Sequence, residues 1–581
     1  MEDLGPRRLE SAGLSPDALL AKNPRLACLR ISPFGQTGPL AGERGDDRIA
    51  QAFSGMQFAT GFPDRPPIPV TVPLAEAWSA ILGAGALLMA VYHARRSGHG
   101  QVVDIGLYQT ALRLQEDVVI RYQTTGAVAS RMGTESATVV PANVYPTRDG
   151  GFIALSGAGD QPFARLCDAI GAPQAVKDPR FSTSAARLAN RAAADELVRA
   201  WVVKHDLADV EARFTKAGVA GTAVRSVDEI IGDAHVQARR STLPLKSSSG
   251  RDFLAPAPTP RFSRTSARDS ASAPRLGEHT AIVRANVARM AARPRPDVTS
   301  PSAPGAGALT GVRVLDLSQW LAGPAAAALL GDFGAEVVMV ELPATGTASI
   351  DGPGSRGVGF PVTNRNKRSI TLDVRSPRGR EVFLELVRVS DLVVENFRPG
   401  TLGALEPRAR GAPRRQSPTR HPAIVGIRAE ADPYAARAAF NPVGLAFGGM
   451  TYLNGFPDRP PCRDGVTAGD YSTALFNVLG MVAALLRRDV DGQGQVVDTA
   501  MFECALRLTG DLLAVRSALG IRRERAAGDS PSIRRVSPPR PSTAASWPRP
   551  PPTGQSFAGA LGRLGRLRAD DPARVKEEFA S

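Results

Sequence analysis

Cysteine is scarce in this 581-residue chain: four residues, Cys28, Cys167, Cys462 and Cys504, with no C-x-x-C pair among them. That excludes a disulfide framework and a cysteine-rich zinc site, and it fits buried thiols in a cytoplasmic protein. Histidine is also rare, and the six residues His93, His99, His205, His235, His279 and His421 form no H-E-x-x-H or other metal-ligand cluster. No G-x-S-x-G marks a hydrolase nucleophile. The N-terminus, MEDLGPRRLE, lacks the apolar run of a secretory signal. The most apolar stretches, Trp78–Val91 and Leu475–Leu486, are shorter than the ~20 residues a membrane span needs. Acidic residues are outnumbered, 56 against 71 Lys and Arg, for a net charge of +15. The excess sits mostly in Pro/Arg/Ser-rich segments without periodicity: Arg516–Ser581 holds 13 basic and 6 acidic residues, and Gly403–Arg420 holds 5 and 1. The basicity therefore belongs to tail-like segments, and neither a nucleic-acid nor a membrane partner is expected.

What is present is a duplication. GFPDRPP occurs at Gly61–Pro67 and again at Gly455–Pro461, 394 positions later. At the same offset GQVVD recurs (Gly100–Asp104, Gly494–Asp498), as does ALRL (Ala111–Leu114, Ala505–Leu508). Phe53, Gly55 and Met56 likewise match Phe447, Gly449 and Met450. A period this long means two copies of a domain-sized unit.

Only the second copy has a strand–helix–strand start. VRVLDL (Val312–Leu317) is followed by AGPAAAALLGDFG and EVVMVEL, then by RSITLDV, a helical run and DLVVENF. Such βαβ units imply a parallel sheet. The first turn, LSQWLAGP, lacks G-x-G-x-x-G, which argues against a dinucleotide cofactor. The organisation expected is: 1–140, central part of a first unit; 141–290, its small domain and trailing arm; 291–308, linker; 309–402, Rossmann-like half of a second unit; 403–438, degenerate stretch; 439–525, its central part; 526–581, disordered basic tail. The fold class is α/β: a Rossmann-like parallel sheet in a large domain, a smaller α+β domain, and two incomplete units in tandem.

VLDLSQWLAGP, GAEVVMVE, TNRNKRSITLDV and VENFRPG, with ISPFGQTGP, QAFSGM, GHGQVVDIGLY and YPTRDGGFIAL elsewhere, resemble the class III CoA-transferases. That superfamily includes formyl-CoA transferase, carnitine CoA-transferase and α-methylacyl-CoA racemase. The resemblance implies an acyl-CoA and a small carboxylic acid as substrates, no tightly bound cofactor, and an aspartate forming anhydride and thioester intermediates. It places that aspartate at Asp470, in VTAGDYSTALFNVLG; read locally, an Asp before an apolar helix is also a good N-cap. The duplicate position holds Glu76, whose carboxylate lies one methylene further out. For CoA the resemblance carries over Trp320, Leu321, Leu372, Asn396 and Phe397. Lys367 and Arg368 are expected at the nucleotide phosphates, or else in a solvated loop. An Arg common in the family after VENFRPG falls at Ala404 here, and Asp3 and Leu4 replace the Asn and Phe of VENF in the first copy. A racemase needs a His in a GHD-like motif, and ERGDDRIAQ and AAFNPVGLA have none. The family forms interlocked dimers, so an intramolecular pseudo-dimer or a homodimer is expected. The rival reading is a remnant that binds CoA weakly or not at all.

Overall fold

A computed structural model describes residues 1–157, 159–247, 250–267, 278–283, 286, 307–342, 359–397, 401, 422–425, 433–434 and 437–528. Most of the 291–308 linker, most of the 403–438 stretch with Ala404, and all but the first residues of the 526–581 tail lie outside the described residues.

The duplication is visible as two helices of equal length. Leu74–Ser97 and Ala468–Asp491 are each 24 residues long. Each stops at a glycine in the left-handed region, Gly98 (φ 83°) and Gly492 (φ 70°), a conformation that strains any other residue. Both are long and apolar enough to cross a bilayer, longer than the apolar stretches inside them. Here they pack against each other and share one core with the Ala322–Asp332 helix. Trp78 Nε1 donates to Ser472 Oγ at 2.7 Å across this contact, and those two positions are duplicates.

The repeated heptapeptides meet in the same way. Arg65 pairs with Asp458 at 2.5 Å, and its duplicate Arg459 with Asp64 at 2.6 Å. Phe62 and Phe456 meet between them with their rings tilted at 58° and their centroids 6.4 Å apart. When residue i of one copy touches j of the other and j touches i, the copies are related by a two-fold axis. The two copies of GFPDRPP thus bind each other across that axis.

Strand β1 (Ala27–Ser32) pairs in parallel with β2 (Gln101–Gly106). β3 (Ala142–Pro146), β4 (Phe152–Ser156) and β5 (Ala220–Ala223) form an antiparallel sheet. With the surrounding helices they build a small domain whose core, from Val140 to Val219, is its own. The trailing arm carries strands of its own. β6 (Thr242–Lys246) and β7 (Asp252–Pro256) form a hairpin. β8 (Arg261–Phe262) reaches the second copy, where it pairs antiparallel with a strand near residue 498. These runs are too short to show a period of two in sequence.

In the second copy β9 (Arg313–Asp316), β10 (Glu336–Glu341), β11 (Lys367–Thr371) and β12 (Leu392–Val394) form a parallel sheet ordered β11-β10-β9-β12. β13 (Pro422–Val425) lies beside β12 and pairs in parallel with β14 (Val497–Ala500), the strand that also receives β8. Strand order reverses between β9 and β12. Ligands of open α/β sheets bind beyond the carboxyl ends of the strands at such a point.

Among the described residues the first copy shows no such sheet. In its place the chain start lies along β1, through Glu2 N–H to Leu29 O (2.9 Å) and Ile31 N–H to Glu2 O (3.0 Å). Glu2 Oε2 accepts Leu4 N–H at 2.8 Å, and Glu395 Oε2 accepts Phe397 N–H at 2.8 Å. The turn within VENF is thus repeated by MEDL.

Candidate active site

Asp470 lies in the first turn of the Ala468–Asp491 helix. Its carboxyl is crowded by the fold, and burial pushes its pKa up to about 7. The turn is held by Asn441, whose Oδ1 accepts the N–H of Gly469 at 2.7 Å and of Asp470 at 3.4 Å. A Cβ at Gly469 would come within 2.9 Å of Asn441 Oδ1 and 3.1 Å of Met501 Sδ. The glycine therefore admits the neighbouring side chains.

Beside this turn is the crevice of the parallel sheet. Asn396, just past β12, exchanges two hydrogen bonds with the backbone of Gln319, just past β9: Gln319 N–H to Oδ1 at 2.8 Å, and Nδ2 to Gln319 O at 2.6 Å. Trp320 follows with φ 68°, a conformation rare outside glycine, and its indole is 42% exposed. Backbone strain of this kind clusters at ligand sites. Trp320 packs edge-to-face on Phe440 at 5.7 Å, which connects the crevice to Asn441. Leu321 caps the next helix, while Leu372 and Phe397 share an apolar cluster on one face of the sheet.

Lys367 and Arg368 are placed otherwise than expected for phosphate ligands. The Lys367 ammonium is buried and spends its donors on Asp316 (2.7 Å), Pro324 O (2.9 Å) and Asn364 Oδ1 (3.0 Å). Burial lowers its pKa against the opposing pull of Asp316. Arg368 is exposed beside Glu336, at the amino end of β10, away from the crevice. Adjacent residues on a strand face opposite ways, so one sequence pair KR yields one structural and one surface cation.

The small domain closes over the second copy. Asn143, Val144 and Ala154 line a cavity with Asn441, Asn454 and Asp464. Asp464 Oδ2 and Asn143 Nδ2 are buried there without partners, and burial raises the Asp464 carboxyl to about 6. Sequence reasoning missed Asn143, Phe440, Asn441 and Asp464. The one signal for Asn441 was its alignment, 394 residues on, with Asp47.

In the first copy Asp47 takes the place of Asn441, its Oδ1 accepting Glu76 N–H at 3.0 Å. Burial, and then the nearby Glu76, raise Asp47 to about 6, and burial raises Glu76 as well. Where the second copy has one carboxyl beside a neutral amide, the first has two carboxyls and, among the described residues, no parallel-sheet crevice beside them.

The profile described as "CoA-transferase family III" matches residues 1–280 and 309–537. The chain belongs to CoA-transferase family III. Succinyl-CoA–D-citramalate CoA-transferase of Chloroflexus aurantiacus is 35% identical over 279 residues, 48% of this chain and 69% of the relative. Succinate–glutarate CoA-transferase of Agrobacterium fabrum is 31% identical over 279 residues, covering 48% of this chain and 70% of the relative. Formyl-CoA:oxalate CoA-transferase of Streptomyces coelicolor is 39% identical over 207 residues, 35% of this chain and 49% of the relative. Among solved structures, a CaiB/BaiF family protein from Brucella suis aligns with a TM-score of 0.42 at 29% identity, covering 48% of this chain and 72% of that one.

Proposed function

We propose that this chain moves CoA between an acyl-CoA and a small carboxylic acid, with Asp470 as the nucleophile. The observation that carries this is the Asp470 carboxyl at a helix start held by Asn441, which lines a cavity with Asn143 and Val144 of the small domain and whose neighbour Phe440 packs on Trp320 of the crevice. The Asp470 carboxylate attacks the thioester carbonyl, forming a mixed anhydride and expelling CoA thiolate. The thiolate attacks the aspartyl carbonyl of that anhydride, giving an aspartyl thioester and freeing the donor acid. The acceptor carboxylate repeats the two steps in reverse and regenerates Asp470. Splitting the transfer between activated acyl groups keeps each barrier low.

The crevice residues Trp320, Leu321, Leu372, Asn396 and Phe397 would receive CoA, and the N–H groups and dipole at the helix start would favour the oxyanion. Relatives named for succinyl-CoA, citramalate, glutarate and oxalate support small carboxylic acids as acceptors. Glu76, without a crevice, contributes no turnover in this reading.

The test is intact-protein mass spectrometry after incubation with a panel of acyl-CoAs and a hydroxylamine quench. An activated Asp470 becomes a hydroxamate, and the adduct is expected in the unmodified chain and absent from Asp470→Asn. No adduct in a folded chain would favour the remnant.

A further inference from the structure

Three polar side chains end without partners in the cavity between the small domain and the second copy. Besides Asn143, Asn441, Asn454 and Asp464, that cavity is lined by Arg463. Among the described residues the Arg463 guanidinium makes no hydrogen bond or ion pair, although only part of the residue reaches solvent. Burial lowers its pKa and Asp464 opposes that shift, and an arginine of this kind keeps its charge. Asp464 Oδ2 and Asn143 Nδ2 are likewise buried without partners, in residues 5% and 1% exposed.

The backbones that carry these ends are held firmly. Arg463 N–H donates to Gly133 O at 3.0 Å, and Arg463 O accepts Asn454 Nδ2 at 3.1 Å. Asp464 O accepts Thr60 Oγ1 at 2.8 Å. Asn143 sits on β3, and its Oδ1 accepts Val144 N–H at 2.8 Å, which leaves Nδ2 to the cavity. Buried polar ends without partners destabilise a fold, so three in one rigid cavity need a reason. The duplicates of Arg463 and Asp464 in the first copy are Pro69 and Val70. The charged pair therefore belongs only to the copy with Asp470. Asn441 ties the cavity to that residue, because it also accepts the N–H groups of Gly469 and Asp470.

The three ends define the ligand that would satisfy them. A guanidinium pairs best with a carboxylate. A carboxylate oxygen such as Asp464 Oδ2 needs a donor, and an ionised carboxylic acid has none unless it carries a hydroxyl. We propose that this cavity is the acceptor subsite and that the acceptor is a hydroxy-dicarboxylic acid. Arg463 binds the carboxylate that does not react, Asp464 Oδ2 accepts a hydrogen bond from the hydroxyl, and Asn143 Nδ2 donates to one of the acid's oxygens. The second carboxylate is the one that reacts, so the assignment rests on the reading of Asp470 as the nucleophile of CoA transfer.

The test is calorimetric titration of the full chain at pH 8, where Asp464, raised by burial to about 6, is ionised. Racemic malate carries both carboxylates and a hydroxyl; succinate lacks the hydroxyl, and 2-hydroxybutyrate lacks the second carboxylate. Malate is expected to bind about tenfold more tightly than either, the effect of one lost hydrogen bond or ion pair. Arg463→Gln should bring malate and 2-hydroxybutyrate to the same affinity, and Asp464→Asn should narrow the gap between malate and succinate. Equal affinities for the three acids in the unmodified chain, or no binding of malate, overturn the proposal without any variant. So do gaps that survive both substitutions. The hydroxylamine-trapped adduct separates the two readings. An adduct at Asp470 without a preference for malate overturns this subsite alone. A preference for malate lost in Arg463→Gln, in a chain that forms no adduct, supports the subsite and refutes the transfer.

Discussion

The two copies share their helices, their turns and the heptapeptide that joins them, yet they are complementary in what surrounds those parts. The second copy has the parallel sheet, Asp470 beside neutral Asn441, and the small domain on its apolar face. The first copy supplies that small domain but keeps Glu76 beside Asp47, with only the strand-like start Glu2–Leu4 where a sheet would be. A fold duplicated in one chain needs its core and its axis in both copies, whereas the neighbours of the candidate site are assembled around one copy.

The sharpest test of this asymmetry compares the two carboxylates. Asp470→Asn should abolish the hydroxylamine-trapped adduct, while Glu76→Gln should leave it unchanged. Next in size is packing. Leu506→Ala should cost about 2–5 kcal/mol as a buried truncation. Leu112→Ala at the duplicate position should cost within about 0.5 kcal/mol as an exposed one. Paired chemical denaturation reads the difference, and equal losses would mean the faces are not distinct.

At the axis, Trp78→Phe leaves the buried Ser472 hydroxyl without its indole donor, an expected loss of about 1–3 kcal/mol by thermal or urea unfolding. The pH dependence has a definite sign. Asp470 has a folded pKa of about 7, above its ordinary 3.8, so the folded state binds the extra proton and stability falls as pH rises between those values. Asp470→Asn should therefore melt at the same temperature as the unmodified chain below pH 4 and at a higher one above pH 7. Adduct formation should rise through about pH 7. The smallest effect expected is from Asn441→Asp, which gives the second copy the carboxyl pair of the first. The added negative charge should move the pH midpoint of adduct formation upward, and an unchanged midpoint would show that the amide's neutrality is immaterial.

Much of this was legible in the sequence because two signals were strong. The offset repeat announced two copies, and VRVLDL, EVVMVEL and DLVVENF announced a parallel sheet. The crevice at Asn396 followed from motif order. The roles of Lys367 and Arg368 did not, since a cation's use depends on which face of β11 it leaves from, and a buried acceptor such as Asp316 is distant in sequence. Asn143, Asn441 and Asp464 were hidden because their cavity forms only when the small domain of one copy lands on the other. The reciprocal pairing of GFPDRPP was equally invisible: a repeated string shows that two segments are alike, not that they touch.

That reciprocal contact has a consequence for how the protein is governed. An interface between separate identical subunits is lost on dilution, and every mutation in it occurs twice. Here both halves of the Arg65–Asp458 and Arg459–Asp64 contact are tethered in one polypeptide, so the partner's effective concentration is fixed by the linker and not by expression level. Each half can also change without its twin, which is how one chain can hold Asp470 in one place and Glu76 in the other while keeping the symmetry that binds them.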